Sequence, residues 1–162
     1  MILRILILLL VCCCIDESGA ADSYTLYLVR HAEKAQDGSR DPMLTDIGEQ
    51  RSENLANWFS DKQIEDIWSS DYIRTRDTAK PILSKLDIDV TLYDPGNLPE
   101  LTENLLKKQH TALIVGHSNT TPQLARLLCD CEIADMDESE HDRVIVISVV
   151  NGVSQVKTLQ QR

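Results

Sequence analysis

Positive charge is what this chain is shortest of: 16 lysines and arginines stand against 26 aspartates and glutamates, a formal net charge of −10 over 162 residues. A chain this acidic repels polyanions at long range, which excludes nucleic acid as a partner. It also lacks an apolar run of the roughly 20 residues that a membrane span requires; the stretch Ile5 to Ile15 stops directly at Asp16-Glu17. Internal repeats, low-complexity stretches and interdomain linkers are missing too, so the chain reads as one domain. At 43% hydrophobic and 26% charged residues it has the composition of an ordinary globular protein large enough to bury its own core. Cysteine is scarce and unevenly placed: of five, three form Cys12-Cys13-Cys14 and the other two flank Asp130. Closely spaced ligand pairs of the kind that hold zinc do not occur.

Residues 1–21 have the order of a secretory signal peptide: one positive charge at Arg4, the apolar stretch, then Ser18-Gly19-Ala20-Ala21 ahead of Asp22. Cleavage is expected after Ala20 or Ala21, leaving residues 22–162 as a mature domain in the periplasm or outside the cell. Cys12-Cys13-Cys14 keeps a rival open, a lipid-anchored lipoprotein, although Val11 stands where such a processing site has a small residue. The leader contains Arg4, Asp16 and Glu17, a net −1, so its removal leaves −9. Cys129-Asp130-Cys131 then remains, and its spacing allows a strained disulfide, a metal contact or two small residues at a helix end.

Further along, strand-like and helix-like stretches alternate. Thr25 to Val29 is a buried strand ending in Arg30-His31. A loop rich in turn residues runs to Leu44, and a helix follows, capped by Thr45 or by an Asp46/Glu49 box, with Leu55, Trp58 and Phe59 on its apolar side. Asp66 to Ser70 is a second strand and Tyr72 to Lys85 a second helix, with a kink or restart expected at Pro81. Ile88 to Leu92, the turn Asp94-Pro95-Gly96-Asn97, and a helix over Leu98 to Lys108 come next. The run Thr111 to Gly116 ends at His117 and precedes a helix from Thr121 to Cys129. Arg143–Val150 and Val153–Leu159, joined by Asn151-Gly152, have the pattern of a hairpin. The alternation predicts a three-layer α/β/α sandwich, a mostly parallel sheet with an antiparallel edge hairpin.

In such a sheet the carboxyl ends of the parallel strands open into one crevice. Arg30 and His31 follow the first strand, Arg74 lies just past the second, and His117 closes the run Ile114-Val115-Gly116. Two arginines and two histidines meeting in an acidic protein make a site for a small tetrahedral anion. Arginine offers fixed donors to two oxygens at once, and a neutral imidazole offers a nitrogen that can attack phosphorus. No metal or other cofactor is called for.

The chain resembles the histidine phosphatase superfamily, also called phosphoglycerate mutase-like. The resemblance rests on Arg30-His31-Ala32-Glu33-Lys34, Leu44-Thr45-Asp46-Ile47-Gly48, Ser69-Ser70-Asp71-Tyr72-Ile73-Arg74 and Val115-Gly116-His117-Ser118, in the family's order and across nearly the whole mature chain. It implies a phosphatase in which His31 is phosphorylated and Arg30, Arg74 and His117 complete the phosphate-binding core; beside that motif, Ser118 and Asn119 could also donate to the phosphate. It also implies an acidic proton donor between the third strand and the Gly-His motif; Glu100 is preferred, with Glu103 and Asp94 as alternatives. Ala32 stands where many members have glycine. Glu33-Lys34 replaces the further arginine of the phytase-like branch, which argues against phytate. The short connections between Leu86 and His110 leave out the closing insertions of the mutases and favour hydrolysis.

The expected substrate is a small phosphomonoester. A protein-phosphohistidine phosphatase, a non-catalytic module binding phosphorylated ligands, and a metal-binding protein using His31, His117 and the cysteine pair are the rivals. His110 and His141 read as surface residues, Arg76 as solvated or salt-bridged, Trp58, Phe59 and Trp68 as core, and Ser118 or Asn119 also as caps of the following helix. Nothing in the sequence fixes the oligomeric state.

Overall fold

Six strands and four helices alternate along residues 23–161, the residues that the computed structural model describes. The expected leader with Cys12–Cys14 lies outside the described residues. The elements are β1 (Ser23–Arg30), α1 (Asp46–Trp58), β2 (Asp66–Ser70), α2 (Ile73–Leu86), β3 (Val90–Tyr93), α3 (Leu98–Lys108), β4 (Ala112–Gly116), α4 (Thr120–Cys129), β5 (Arg143–Val150) and β6 (Val153–Gln160). They form one sheet in the order β3-β2-β4-β1-β5-β6. The four strands from β3 to β1 are parallel, and the β5–β6 hairpin joins β1 antiparallel. The strand order reverses between β1 and β4, the position where an α/β sheet opens its crevice.

Helices cover both faces, which gives three layers. On one face Val29, Ile67, Leu113, Val115, Val144 and Val146 pack against Leu55, Ala56 and Phe59 of the α1 region and Ala79 and Ile82 of α2. On the other, Leu26, Leu28, Ile114, Ile145 and Ile147 meet Leu101 and Leu105 of α3 and Leu124, Ala125 and Leu128 of α4. Burial on both sides explains why β4 is apolar at every position rather than alternating. Phe59 and Trp68 are buried and Trp58 is partly buried beside Tyr27 and Phe59. None of the helices among the described residues is long and apolar enough to cross a membrane.

Three local expectations need correction. The restart at Pro81 does not occur: α2 runs through it as one helix, with Ala79 and Ile82 fully buried on either side. Tertiary packing there outweighs the loss of a single backbone donor. β3 begins at Val90 rather than Ile88, because the chain leaves α2 through Asp87 in the left-handed region and the Ile88 N–H still bonds to Leu83 O at 3.3 Å. The helix after His117 is not capped by Ser118 or Asn119: the N-cap Asn119 makes no side-chain bond, and the hydroxyl of Thr120 instead accepts the His117 N–H at 3.1 Å. Of the readings open for Cys129 and Cys131, the disulfide is the one observed, with Cα atoms 5.2 Å apart.

Candidate functional site

Parallel pairing brings the first elements of the site together. Arg30 lies opposite Gly116 in the β1–β4 register, and the His31 N–H bonds to Gly116 O at 3.0 Å, so His31 and His117 leave neighbouring strand ends side by side. Their ring centroids are 5.5 Å apart. Gly116 is required there, since a Cβ would come within 2.9 Å of Thr121 Oγ1 and 3.0 Å of Tyr93 Oη. β2, on the other side of β4, delivers Ser70 and then Arg74 from the first turn of α2. The crevice thus gathers Arg30, His31, Arg74 and His117, with Arg30 and His31 each only 3% exposed.

The hydrogen bonds define the imidazoles. His31 Nδ1 is 2.7 Å from Ala32 O; a carbonyl only accepts, so Nδ1 carries the proton and Nε2 holds a free lone pair. His117 is arranged the opposite way. Its Nδ1 faces Arg74 Nη2 at 3.5 Å, which can only donate, while its Nε2–H donates to Ser70 Oγ at 2.9 Å. The Ser70 hydroxyl donates in turn to Thr75 Oγ1, which donates to Ser70 O. Burial, reinforced by Arg30, His117 and Arg74, pushes His31 down from 6.5 to about 3, against the opposing effect of its bond to Ala32. Burial and the charges of Arg74 and Arg30 likewise lower His117 to about 4. Both rings are uncharged at neutral pH.

The arginines are held rigidly and incompletely. Arg30 Nη1 donates to the carbonyls of Asp137, Glu138 and Glu140 at 3.1, 2.7 and 3.2 Å, and Nη2 to Glu138 Oε2 at 2.9 Å. Arg74 lies with Cζ 4.3 Å from the centroid of the Tyr72 ring and reaches Asp41 Oδ1 at 3.3 Å. The Nε atoms of both arginines are buried with no hydrogen-bond partner. Buried unpaired donors are costly, and two of them on charged groups beside a free imidazole nitrogen are complementary to an anion.

The loop after β1 is fixed by the Leu44-Thr45-Asp46-Ile47-Gly48 stretch. Thr45 Oγ1 caps α1 by accepting from Gly48 N at 3.1 Å, and Thr45 N bonds to Glu33 O at 2.9 Å. Gly48 lies so close to Glu33 that a Cβ would fall 2.2 Å from its carbonyl oxygen. Arg51 grips the Glu33 carboxylate with both Nε and Nη2, and Ala32 N bonds to Thr78 Oγ1 at 2.9 Å, which fixes the backbone on which His31 stands.

Glu100 does not join these four residues. It lies exposed in the first turn of α3, where its carboxylate accepts from Asn97 Nδ2 at 2.8 Å and the Asn97 side chain caps its N–H in return. The acid read as a proton donor is thus paired side chain to side chain with the N-cap residue of its own helix. Glu103 and Asp94 are exposed as well, and Asp94 accepts from Gly96 N. Ser118 is at the site, but its hydroxyl is given to Glu138. His110 pairs with Asp66 and Arg76 with Asp71. His141, read as a surface residue, is instead half-buried, 5.9 Å from the His31 ring, and its Nδ1 donates to His31 O at 3.0 Å.

Sequence reasoning missed Asp41, Glu138 and His141. Asp41 carries only a faint signal, the Asp-Pro pair of a turn, and the other two lie in an acidic stretch with no periodicity. Among the described residues no three His, Cys, Asp or Glu side chains form a metal-binding group. The largest surface cavity described, of about 810 Å³, lies between α1 and α2 and is lined by none of the four cluster residues.

The model of the histidine phosphatase superfamily (branch 1) matches residues 26–103, which contain three of the four cluster residues. No curated protein matches in sequence. Among solved structures the chain is similar to the protein histidine phosphatase SixA complexed with tungstate, at 18% identity and a TM-score of 0.69, covering 85% of this chain and 97% of that one. It is similar also to the α-ribazole phosphatase from Shigella flexneri (15%, TM-score 0.71, 84% and 96%). A third is a mycobacterial glucosyl-3-phosphoglycerate phosphatase (14%, TM-score 0.66, 85% and 98%). At such identities these likenesses carry the fold.

Proposed function

The chain belongs to the histidine phosphatase superfamily, and from that premise we propose that it hydrolyses phosphomonoesters through a covalent phosphohistidine on His31. The observation that carries this reading is the meeting of an uncharged His31, its Nε2 free, with the buried Arg30 and the partly buried Arg74, whose Nε–H donors are both buried without a partner. A phosphate placed there takes up both unpaired donors, and His31 Nε2 is the nucleophile left to attack it.

In the first step the Nε2 lone pair forms a bond to phosphorus, the ester P–O bond breaks, and the leaving oxygen takes a proton. The carbonyl of Ala32, accepting from Nδ1–H, supports the positive charge that develops on the ring. Arg30 and Arg74 offset the charge on the equatorial oxygens. Phosphate dianion beside His117 raises the proton affinity of its Nδ1, which then donates to the phosphoryl group. In the second step water attacks phosphorus, the P–N bond breaks, one proton of the water stays on the phosphate while the other passes to solvent or to His117, and His31 returns to its starting form. Glu100 has no part in this scheme, and leaving-group protonation falls to solvent or to His117.

We propose further that the protein works outside the cytoplasm. The signal-like order of residues 1–21 and the bond between Cys129 and Cys131 both favour an oxidising compartment.

The test is turnover of p-nitrophenyl phosphate by the mature chain and by His31→Ala, paired with rapid quench under conditions that preserve phosphohistidine. The variant is expected to lose at least about 10⁴-fold in rate, together with the trapped phosphoprotein. A variant that keeps its rate would remove His31 from the chemistry. Tight anion binding without turnover by the wild type would identify a non-catalytic module.

A further inference from the structure

Each arginine of the cluster meets a carboxylate, but the two carboxylates are held differently. Asp41 accepts the Ile73 N–H through both oxygens, at 3.0 Å each, and reaches Arg74 only secondarily; it belongs to the backbone architecture at the start of α2. Glu138 has no such duty. Its side chain is 79% exposed, and its two oxygens accept from Ser118 Oγ and Arg30 Nη2. The orientation of Arg30 does not depend on it, because three backbone carbonyls already hold Nη1. What Glu138 occupies is one half of the Nη2/Nε edge, the edge by which arginine grips two oxygens of a phosphate; the other half, Nε, is buried and unpaired.

A carboxylate held by a guanidinium and a hydroxyl at this edge has the disposition of two oxygens of a bound phosphate. We propose that Glu138 is a displaceable internal carboxylate that occupies the anion position of the empty site and thereby sets how tightly substrate and product phosphate bind. The inference deepens the phosphatase reading and rests on it for the identity of the anion. A phosphate approaching Arg30 needs the N–H that Glu138 holds, and two like charges do not share one donor. Glu138 therefore swings into the solvent that already surrounds it, and Ser118 is released to the incoming oxygen. The ion pair has one exposed partner, so the competition weakens binding without preventing it. The hydrogen bond from Ser118, opposed by burial and aided by Arg30, Lys34 and His141, keeps Glu138 below the ordinary glutamate range, so the competitor is charged whenever the enzyme works.

The experiment compares the mature wild type with Glu138→Gln and Glu138→Ala. It measures p-nitrophenyl phosphate kinetics, inhibition by inorganic phosphate, and calorimetric binding of inorganic phosphate. Loss of the carboxylate is expected to lower KM and the phosphate dissociation constant by roughly five- to fiftyfold, with a smaller change in kcat. Unchanged or weaker phosphate binding in both variants overturns the proposal, since Glu138 would then be orienting Arg30. A fall in kcat at constant KM overturns it in another way, by making Glu138 part of the chemistry. The two readings separate cleanly. Tighter calorimetric binding without turnover in any form upholds the competitor and removes the phosphatase, turnover with unaltered binding does the reverse, and no phosphate binding by any form removes both.

Discussion

Two connecting segments enclose the cluster, 31–45 after β1 and 130–142 after α4, and they are built on opposite principles. The first holds itself together: Ala35 N bonds to Met43 O, Thr45 N to Glu33 O, and Lys34 pairs with Leu44. The second has few backbone bonds of its own and is gripped from outside by arginines. Arg30 takes the carbonyls of Asp137, Glu138 and Glu140, Arg126 that of Ile133, and Arg143 those of Ala134 and Asp135. A segment fixed by its own backbone presents its carboxylate, Asp41, as part of the frame. A segment fixed by side chains presents Glu138 as a partner that can be exchanged. The same chemical pair, arginine with carboxylate, is structural on one side of the site and competitive on the other.

The comparison breaks most sharply if the framed side proves dispensable. Arg74→Ala removes the guanidinium that the first segment positions, and turnover of an aryl phosphate is expected to fall by roughly 10²–10³-fold, as for loss of one transition-state donor. An unchanged rate would put Arg74 outside the site. Next in size is Gly48→Ala. In an exposed helix this change adds up to about 1 kcal/mol of stability. Here the added methyl meets the Glu33 carbonyl, so a loss of about 2–3 kcal/mol is expected in urea unfolding; a gain would show that the first segment yields as readily as the second.

The smallest effect concerns pH. His31 and His117 have folded values of about 3 and about 4, below the ordinary 6.5. Between those limits the unfolded chain binds protons that the folded one refuses, so their contribution is fully present above about pH 6.5 and is lost as pH falls toward 4. About 2 kcal/mol from His31 alone is expected to go between pH 7.5 and pH 5, and His31→Asn should reduce the slope by that share while leaving that of His117. Equal slopes in the two proteins would mean that the ring is charged in the folded state.

The segment that holds itself is also the one the sequence reveals. Thr45, Gly48 and the Arg30-His31 pair act on near neighbours or at a strand end, and strand ends follow from hydrophobic runs that any reader of β1, β2 and β4 can see. The convergence of Arg30, His31, Arg74 and His117 was legible for that reason. Glu138 reaches Arg30 and His141 reaches His31 across more than a hundred residues, from a stretch rich in acids that reads as solvated loop. No local pattern encodes a contact of that kind. Glu100 differs in the opposite sense: its position three residues after Asn97 gives it a local partner, the side chain of the residue that caps its own helix. At Pro81 the local rule lost to packing, because the residues on either side are core.

The bond between Cys129 and Cys131 closes a ring around Asp130, which stands in the left-handed region at φ 48. A cross-link over so few residues removes little disorder from an unfolded chain, so its effect is local rather than global. It pins the carboxyl end of α4 at the point where the arginine-held segment departs. That segment is therefore anchored at its origin by the cross-link and further along by the carbonyls that Arg30 Nη1 holds, so that only the side chain of Glu138 is left to turn away.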